Sequence, residues 1–273
     1  MKNGISRRDL LKATAAMGAG GLLFAPGCGK DSSFAIPASV MNTLGAASYA
    51  STMQESTSSR DPRRAWVTNS RDRIRVAATE YETARNKANR LNGFTWEVDL
   101  LEDSTVNAWC MPGARMAFYE GIMDLCGNEA GVGVVMGHEV AHAVFNHGGQ
   151  RMAQQLTAQL GITVLGVAIE RLLEPDETIL GITMTVFGVG AQVGLLHYSK
   201  EHEYEADRMG LIYAAKAGYE PREAVRFWER MSALGGSSGP DFLSTHPSHD
   251  NRIKRLEEAM PEAMEHYNAS GSR

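Results

Sequence analysis

The sequence predicts a mostly helical α+β fold with one small β-sheet. Most of the chain places apolar residues at three- and four-residue spacing, which is typical of helices. Residues 94–100 instead alternate apolar and polar side chains, and residues 106–119 contain a central Met-Pro-Gly, as short strands and turns do. With 43% apolar and 22% charged residues, the composition is that of an ordinary globular protein, so a packed core is expected.

The first 28 residues are predicted to form an export signal. Arg7 and Arg8 precede a mildly apolar run rich in Ala and Gly, and small residues come directly before Cys28. The arginine pattern resembles a twin-arginine signal, and the small residues resemble a lipoprotein processing site that would lipidate Cys28. An ordinary cleaved signal with an incidental cysteine is the alternative. Either form predicts an exported protein.

The folded domain is predicted to span residues 63–265. Residues 29–62 are rich in small polar residues and predict a tether or a loosely packed lead-in. Residues 65–91 predict an exposed amphipathic helix, after which the strand-like block begins. Within 106–119, either two strands joined by a turn or one strand interrupted by a bulge fits the pattern.

The second half of the chain reads as helical. A core helix is predicted from Glu129 to about Gln159, because its apolar residues are continuous in the middle. The apolar runs 156–169 and 179–196 predict a buried or cleft-covering helical hairpin, with a segment that dips into the bilayer surface as the alternative. Three amphipathic helices are predicted at the end of the chain, over residues 200–217, 221–234 and 249–264.

Composition also limits the partners. The formal net charge of −5 argues against a surface that follows phosphates, so we expect no nucleic-acid partner. Cys110 and Cys126 could pair in an oxidising compartment. They could equally be buried free thiols, because a twin-arginine substrate folds in a reducing compartment before export.

A metal-binding pattern lies inside the predicted core helix. His138 and His142 are four residues apart, so they share one helix face and can bind one zinc ion, with Glu139 beside them. This HExxH spacing is the arrangement that metal-assisted peptide hydrolysis needs, with Glu139 as general base. His147 is five residues beyond His142, well off the face that carries the two ligands, and is predicted to be a structural or an outer-shell histidine.

A catalytic zinc site needs a third protein ligand from elsewhere in the chain. The candidates are His197, His202 and the carboxylates within residues 201–207. On a helix, Glu203 and Asp207 share a face with Gly210, and small residues there would let two helices approach closely. We therefore predict that Glu203 is a ligand and that Asp207 orients a liganding histidine from behind.

These motifs resemble a family of zinc metallopeptidases that includes the CAAX prenyl proteases, HtpX, the mitochondrial OMA proteases and the outer-membrane assembly protease BepA. The resemblance runs over roughly residues 63–260 and rests on four separate motifs. They are residues 107–113 with 121–122, residues 138–142 with 147–148 and Arg151, residues 203–207, and residues 245–247 with Arg252, Ile253 and Leu256. Ala114 departs from the pattern, since relatives usually carry a second glycine there.

The resemblance implies a zincin-like fold of the gluzincin type, with a small edge β-sheet packed on the active-site helix. It implies that His246 lies near one bound Zn²⁺, either stabilising the oxyanion or occupying the fourth coordination position as an inhibitory switch, with Arg252 supporting it. It further implies that the strand near residues 106–116 binds substrate as an added β-strand. The substrate-binding residues would then be Asn107, Ala108, Pro112 and Gly113.

The resulting hypothesis is an exported metalloendopeptidase that acts on misfolded or unassembled cell-envelope proteins. It would lie on the periplasmic side, anchored to the outer membrane as a lipoprotein through Cys28. The alternative is a chaperone-like or scaffold lipoprotein whose zinc site is capped by His246 and cleaves rarely. A membrane-embedded processor of prenylated peptides is a third alternative, but it would need several membrane spans.

Overall fold

The computed structural model describes residues 35–160, 198–234, 242–243, 246 and 251–271. Cys28, His197 and residues 161–196 of the predicted hairpin lie outside them. The helices are α1 (Ala38–Glu55), α2 (Arg64–Ala84), α3 (Glu120–Cys126), α4 (Glu129–Val144), α5 (His147–Leu160), α6 (Lys200–Lys216), α7 (Arg222–Ala233) and α8 (Arg252–Ala269). The strands are β1 (Glu97–Leu101), β2 (Ala108–Met111) and β3 (Arg115–Tyr119), and a short 3-10 helix spans Ala88–Leu91.

The three strands form one mixed sheet in the order β1-β3-β2. β1 pairs with β3 in parallel, and β2 pairs with β3 as an antiparallel hairpin, so the two-strand interpretation of residues 106–119 is confirmed. The outer side of β1 is partly paired, because the Ser59 amide donates to the carbonyl of Leu100. β2 is the opposite edge strand, and it lies next to α4.

Helix α4 is the centre of the fold. All residues from 131 to 142 are buried, because α4 packs against α6, α2, β2, α7 and α3. Asn128 caps its first turn by accepting a hydrogen bond from the amide of Gly131 at 2.9 Å. The mostly helical α+β prediction is therefore confirmed, and the HExxH residues lie in the most buried helix of the described chain.

The helix predicted from Glu129 to Gln159 is in fact two helices. α4 ends at Val144, and α5 begins at His147 after a break at Phe145 and Asn146. Asn146 adopts a left-handed backbone conformation with φ of 53°, which ends a helix and which asparagine tolerates better than most residues. Its side-chain amide also donates to the carbonyl of Ile36 at 2.8 Å. The apolar pattern of the sequence continues through residues 145 and 146, so this pattern could not predict the break between the two helices.

The sequence predicts that residues 29–62 form a tether or a loosely packed lead-in, but part of this segment is well packed. Residues 38–55 form α1, in which Met41 and Leu44 are fully buried. α1 covers the outer face of the sheet, where Tyr49 makes an edge-to-face contact with Trp109. The other face of the sheet joins the main core. The sequence of α1 carries almost no helical amphipathicity, so its helix could not be read from period alone.

The three last helices are present where the sequence predicts them, as α6, α7 and α8. Cys110 and Cys126 are both buried free thiols, and burial raises the pKa of Cys126 to about 12. In the described ranges, no helix combines the length and apolarity that a membrane crossing requires.

Candidate metal centre

Two glycines let α4 and α6 touch backbone to backbone. A Cβ atom added to Gly137 would lie 2.5 Å from the carbonyl oxygen of Gly210, and one added to Gly210 would lie 2.5 Å from the amide nitrogen of His138. Such distances exclude any side chain at either position without movement of backbone. The close approach expected from the small residues of α6 is thus present, and it brings Glu203 to the histidines of α4.

Four buried side chains converge at this contact. One ligand atom from each of His138, His142, Glu203 and His246 lies within 4.8 Å of all the others. The Nε2 atom of His138 is 3.1 Å from Nε2 of His142 and 3.1 Å from Nδ1 of His246. Glu203 Oε1 is 3.5 Å from His142 Nε2 and 3.1 Å from His246 Nδ1. The three predicted ligands are therefore together, with His246 among them.

Glu139 lies beside this cluster. Its Oε1 atom is 3.2 Å from Nε2 of His246, and the backbone amide of Cys110 on β2 donates a hydrogen bond to it. Burial raises the pKa of Glu139 above its ordinary value, although the attraction of His246 and His138 opposes the rise. A carboxyl group with a raised pKa is suited to take up and release a proton near neutral pH.

Asp207 and Arg252 lie behind His138. Oδ1 of Asp207 is 3.0 Å from Nδ1 of His138, and Oδ2 accepts a hydrogen bond from Arg252 Nε at 2.7 Å. Burial alone would raise the pKa of Asp207, but Arg252 and His138 outweigh it and lower that pKa to about 2. Arg252 also contacts Glu203 at 2.6 Å, so one buried cation serves two buried carboxylates.

The cluster fits a metal ion that takes nitrogen and oxygen ligands. Three imidazoles and one carboxylate are a donor set that transition metals bind. Burial is the main cause, and repulsion from His138 the next, of a pKa of His142 well below its usual range. The imidazole of His142 is therefore neutral, as a metal ligand must be. Glu139 Oε1 and Glu203 Oε2 are buried and, within the described residues, lack a partner of hydrogen-bond geometry. Glu203 Oε2 is held by its ion pair with Arg252 at 2.6 Å, and Glu139 Oε1 lies 3.2 Å from Nε2 of His246.

The predicted substrate-binding residues lie on and beside the edge strand. Asn107 and Ala108 are buried at the start of β2, and Pro112 and Gly113 form the turn to β3, where Gly113 has φ of 87°. A small cleft joins this strand to the cluster. It is lined by Ala38, Asn42, Cys110, Pro112, His142, Ala143, Asn146, Gly148 and Tyr198. The role of these residues in binding substrate stays a prediction.

Three ring side chains lie around His142 and His147, and of these Tyr198 was not predicted to be near the site. The ring of Tyr198 stacks on His142 with a centroid distance of 3.9 Å. His147 lies on another side of His142 and contacts the exposed carboxylate of Glu205. His202, a candidate ligand, points instead to Gln150, at 3.2 Å between Nε2 and Oε1. His147, which follows the helix break, was the sequence signal for a polar group beside His142.

Comparison with known families decides the classification. Residues 71–260 match the family model described as Peptidase family M48. The chain belongs to peptidase family M48. Residues 4–24 of this M48 chain match the model for a twin-arginine translocation pathway signal sequence, which indicates export. The predicted family resemblance and the twin-arginine signal are both confirmed.

The curated relatives of this M48 chain are proteases by name, and those named OMA1 are metalloendopeptidases. Mitochondrial metalloendopeptidase OMA1 of Arabidopsis thaliana is 36% identical over 186 residues, covering 67% of this chain and 36% of the relative. The Schizosaccharomyces pombe protein of that name is 33% identical, covering 64% and 49%. The β-barrel assembly-enhancing protease of Escherichia coli K12 is 27% identical, covering 56% and 32%. The matches therefore span between a third and a half of these relatives.

Proposed function

We propose that this protein is a zinc-dependent metalloendopeptidase that hydrolyses peptide bonds in misfolded or unassembled cell-envelope proteins. The observation that carries the proposal is the convergence of His138, His142 and Glu203. Glu139 lies on α4, the same helix as the two histidines. Membership of the M48 family and the names of the relatives support peptide hydrolysis. The export signal supports substrates in the cell envelope.

The residues have separable roles in this proposal. A zinc ion bound by His138, His142 and Glu203 would lower the pKa of a water molecule to about 7 and polarise a peptide carbonyl. Glu139 accepts the proton from the attacking water and delivers it to the leaving amine, a role for which its raised pKa suits it. Asp207 accepts a hydrogen bond from the Nδ1–H of His138 and so keeps Nε2 directed to the ligand cluster.

The edge strand supports binding of an extended polypeptide. β2 has no strand partner on its outer side within the described residues, and a substrate could add to it as a further strand. Asn107 Oδ1 is buried without a hydrogen-bond partner in the described part of the chain. A substrate amide that binds there would satisfy it. Main-chain pairing of this kind tolerates many sequences, as an enzyme for unfolded proteins requires.

Cleavage of unfolded casein by the zinc-loaded full chain tests this function. Replacing Glu139 by Gln removes the base while preserving shape, so we expect cleavage to fall by about 100-fold or more with zinc content unchanged. The matched control is Glu201→Gln, because Glu201 is exposed on α6. Equal cleavage by wild type and Glu139→Gln would rule out the proposed mechanism.

A second function is favoured by the position of His246. Its Nδ1 atom is 3.1 Å from both His138 Nε2 and Glu203 Oε1, while its Nε2 atom contacts Glu139. The imidazole can therefore act as a fourth ligand and engage the base at the same time. A protein capped in this way would bind envelope proteins as a chaperone or scaffold and cleave them rarely.

His246→Ala distinguishes the cap from a catalytic role. If His246 mainly caps the metal, casein cleavage by this variant rises above wild type, because the fourth position and Glu139 are released. If His246 stabilises the oxyanion, cleavage falls by about 100-fold, as loss of an oxyanion donor does elsewhere. Zinc content is measured in both proteins, so that lost metal is not mistaken for lost catalysis.

We further propose that the protein is anchored as a lipoprotein to the outer membrane, on its periplasmic side. The small residues before Cys28 support lipidation, and the name of the β-barrel assembly-enhancing relatives supports the outer membrane. In cells labelled with a fatty-acid analogue, wild type should carry the label and Cys28→Ser should not. An unlabelled wild-type protein in the soluble periplasmic fraction would refute the anchor.

A further inference from the structure

His147 and Glu205 extend from His142 on the side away from the ligand cluster. His147 is fully buried, and its Nδ1 atom is 3.0 Å from Nδ1 of His142. On the other side of its ring, His147 Nε2 is 3.1 Å from Oε2 of Glu205 on α6. The two contacts form one chain of three polar groups that runs from the ligand cluster to a partly exposed carboxylate.

The protons of this chain can be arranged in only one way that suits metal binding. His142 faces the cluster with Nε2, so a neutral His142 carries its proton on Nδ1 and must donate it. His147 Nδ1 accepts this hydrogen bond, which leaves the proton of His147 on Nε2, and the Nε2–H group donates a hydrogen bond to Glu205. Each group thus fixes the tautomer of the next, as outer carboxylates do for liganding histidines in general.

The helix break creates this contact. On a continuous helix, residues five apart are separated by about 140° and would not face each other. The left-handed residue Asn146 redirects the chain, and α5 then starts at His147. The stacked ring of His202, with a centroid distance of 4.4 Å, fixes the plane of His147 from one face. The break therefore has a geometric use beyond ending α4.

We propose that His147 and Glu205 are positioning residues that orient His142 toward the metal. This inference rests on the proposed function, because it assumes a metal bound by His142. His147 contacts His142 at Nδ1, away from the Nε2 atom that faces the ligand cluster, and Glu205 contacts His147. Their loss should weaken metal binding while leaving Glu139 and the edge strand in place.

The test measures metal binding by the full chain rather than proteolysis. Zn²⁺ affinity is obtained by competition with a chelator, and Co²⁺ substitution gives a visible absorption spectrum that reports ligand geometry. His147→Leu should weaken Zn²⁺ binding by about 10- to 100-fold and alter the Co²⁺ bands. His147→Asn keeps an acceptor near His142 and should recover part of the affinity.

Glu205→Ala gives an independent arm, because Glu205 is partly exposed and its loss should not prevent folding. We expect about 10-fold weaker Zn²⁺ binding. Its matched control is Glu201→Ala, one turn earlier on α6 and exposed, which should bind Zn²⁺ like wild type. If His147→Leu fails to fold, His147→Asn and Glu205→Ala decide the result.

The outcomes separate this inference from the proposed function. Wild-type affinity and spectra in His147→Asn and Glu205→Ala, with normal binding by wild type, would overturn the positioning role alone. A wild-type chain that binds neither Zn²⁺ nor Co²⁺ would overturn the metal site and this inference with it. Weaker binding in Glu205→Ala, with Glu201→Ala unchanged, supports the inference.

Discussion

The two histidines that α4 gives to the ligand cluster are held from behind in different ways. His138 is backed by Asp207, whose side chain is 5% exposed and is paired with the buried Arg252. His142 is backed by His147 and then by Glu205, whose side chain is 47% exposed. One support is a buried set of charges, and the other leads to solvent. The difference predicts that the Asp207–Arg252 support contributes to folding as well as to metal binding. The His147–Glu205 support should affect metal binding with little effect on folding.

The largest effect should come from removing the cation on the His138 side. Arg252→Met leaves the buried carboxylates of Asp207 and Glu203 without their positive partner, and such a loss costs about 3–5 kcal/mol. Urea unfolding of the metal-free protein measures it without a contribution from metal binding. The control is Lys254→Met, since the pair of Lys254 with Glu258 is exposed and contributes about 1 kcal/mol or less. Equal losses in the two variants would contradict the comparison.

A smaller loss is expected where the two sides meet. In Gly210→Ala the new methyl group would overlap the backbone of His138, and overpacking of this kind costs about 1–3 kcal/mol. The measurement is again urea unfolding of metal-free protein. Arg208→Ala is the control, because Arg208 is exposed on the same helix and its ion pair with Glu262 is a surface pair. An unchanged midpoint in Gly210→Ala would show that α4 and α6 are farther apart than described.

The contrast between the two supports also separates what the sequence could predict from what it could not. The HExxH helix, Glu203, Asp207 and the small residue Gly210 follow from helical spacing, because residues four apart share a face. Those positions are within regular helices, where period determines direction. The edge hairpin was one of two interpretations that the sequence left open, since a Pro-Gly segment can be the turn between two strands or a bulge within one strand.

The His142 side could not be predicted in this way. Its geometry depends on one backbone reversal at Asn146, and a single left-handed residue leaves no period to detect. Spacing left His147 as either a structural or an outer-shell histidine, and only the backbone reversal at Asn146 brings its Nδ1 atom to 3.0 Å from His142. Glu205 is exposed, yet its carboxylate also contacts His147. The packing of α1 was missed for a similar reason, because its helix lacks an amphipathic pattern.

An effect on metal affinity sharpens the comparison further. Asp207→Asn keeps a polar group near His138 but removes the charge that holds its Nδ1 proton, so Zn²⁺ binding should weaken by about 10- to 100-fold. Competition with a chelator measures this change. Because Arg252 loses one of its two anions, unfolding of the metal-free protein should also become easier. A variant with weaker Zn²⁺ binding and unchanged stability would show that both histidines are supported in the same way.

The smallest effect on stability should be that of Glu205→Ala. Its ion contact with His147 is partly solvated, and a pair of this kind contributes about 1 kcal/mol or less. The urea midpoint of the metal-free variant should therefore stay close to wild type, although its Zn²⁺ affinity falls. Loss of 3 kcal/mol or more would mean that Glu205 carries a folding role like that of Arg252. Water can replace the partly exposed Glu205 carboxylate as a hydrogen-bond partner of His147, but it does not fix the tautomer of His147. Glu205→Ala should therefore lower Zn²⁺ affinity without lowering the stability of the metal-free protein.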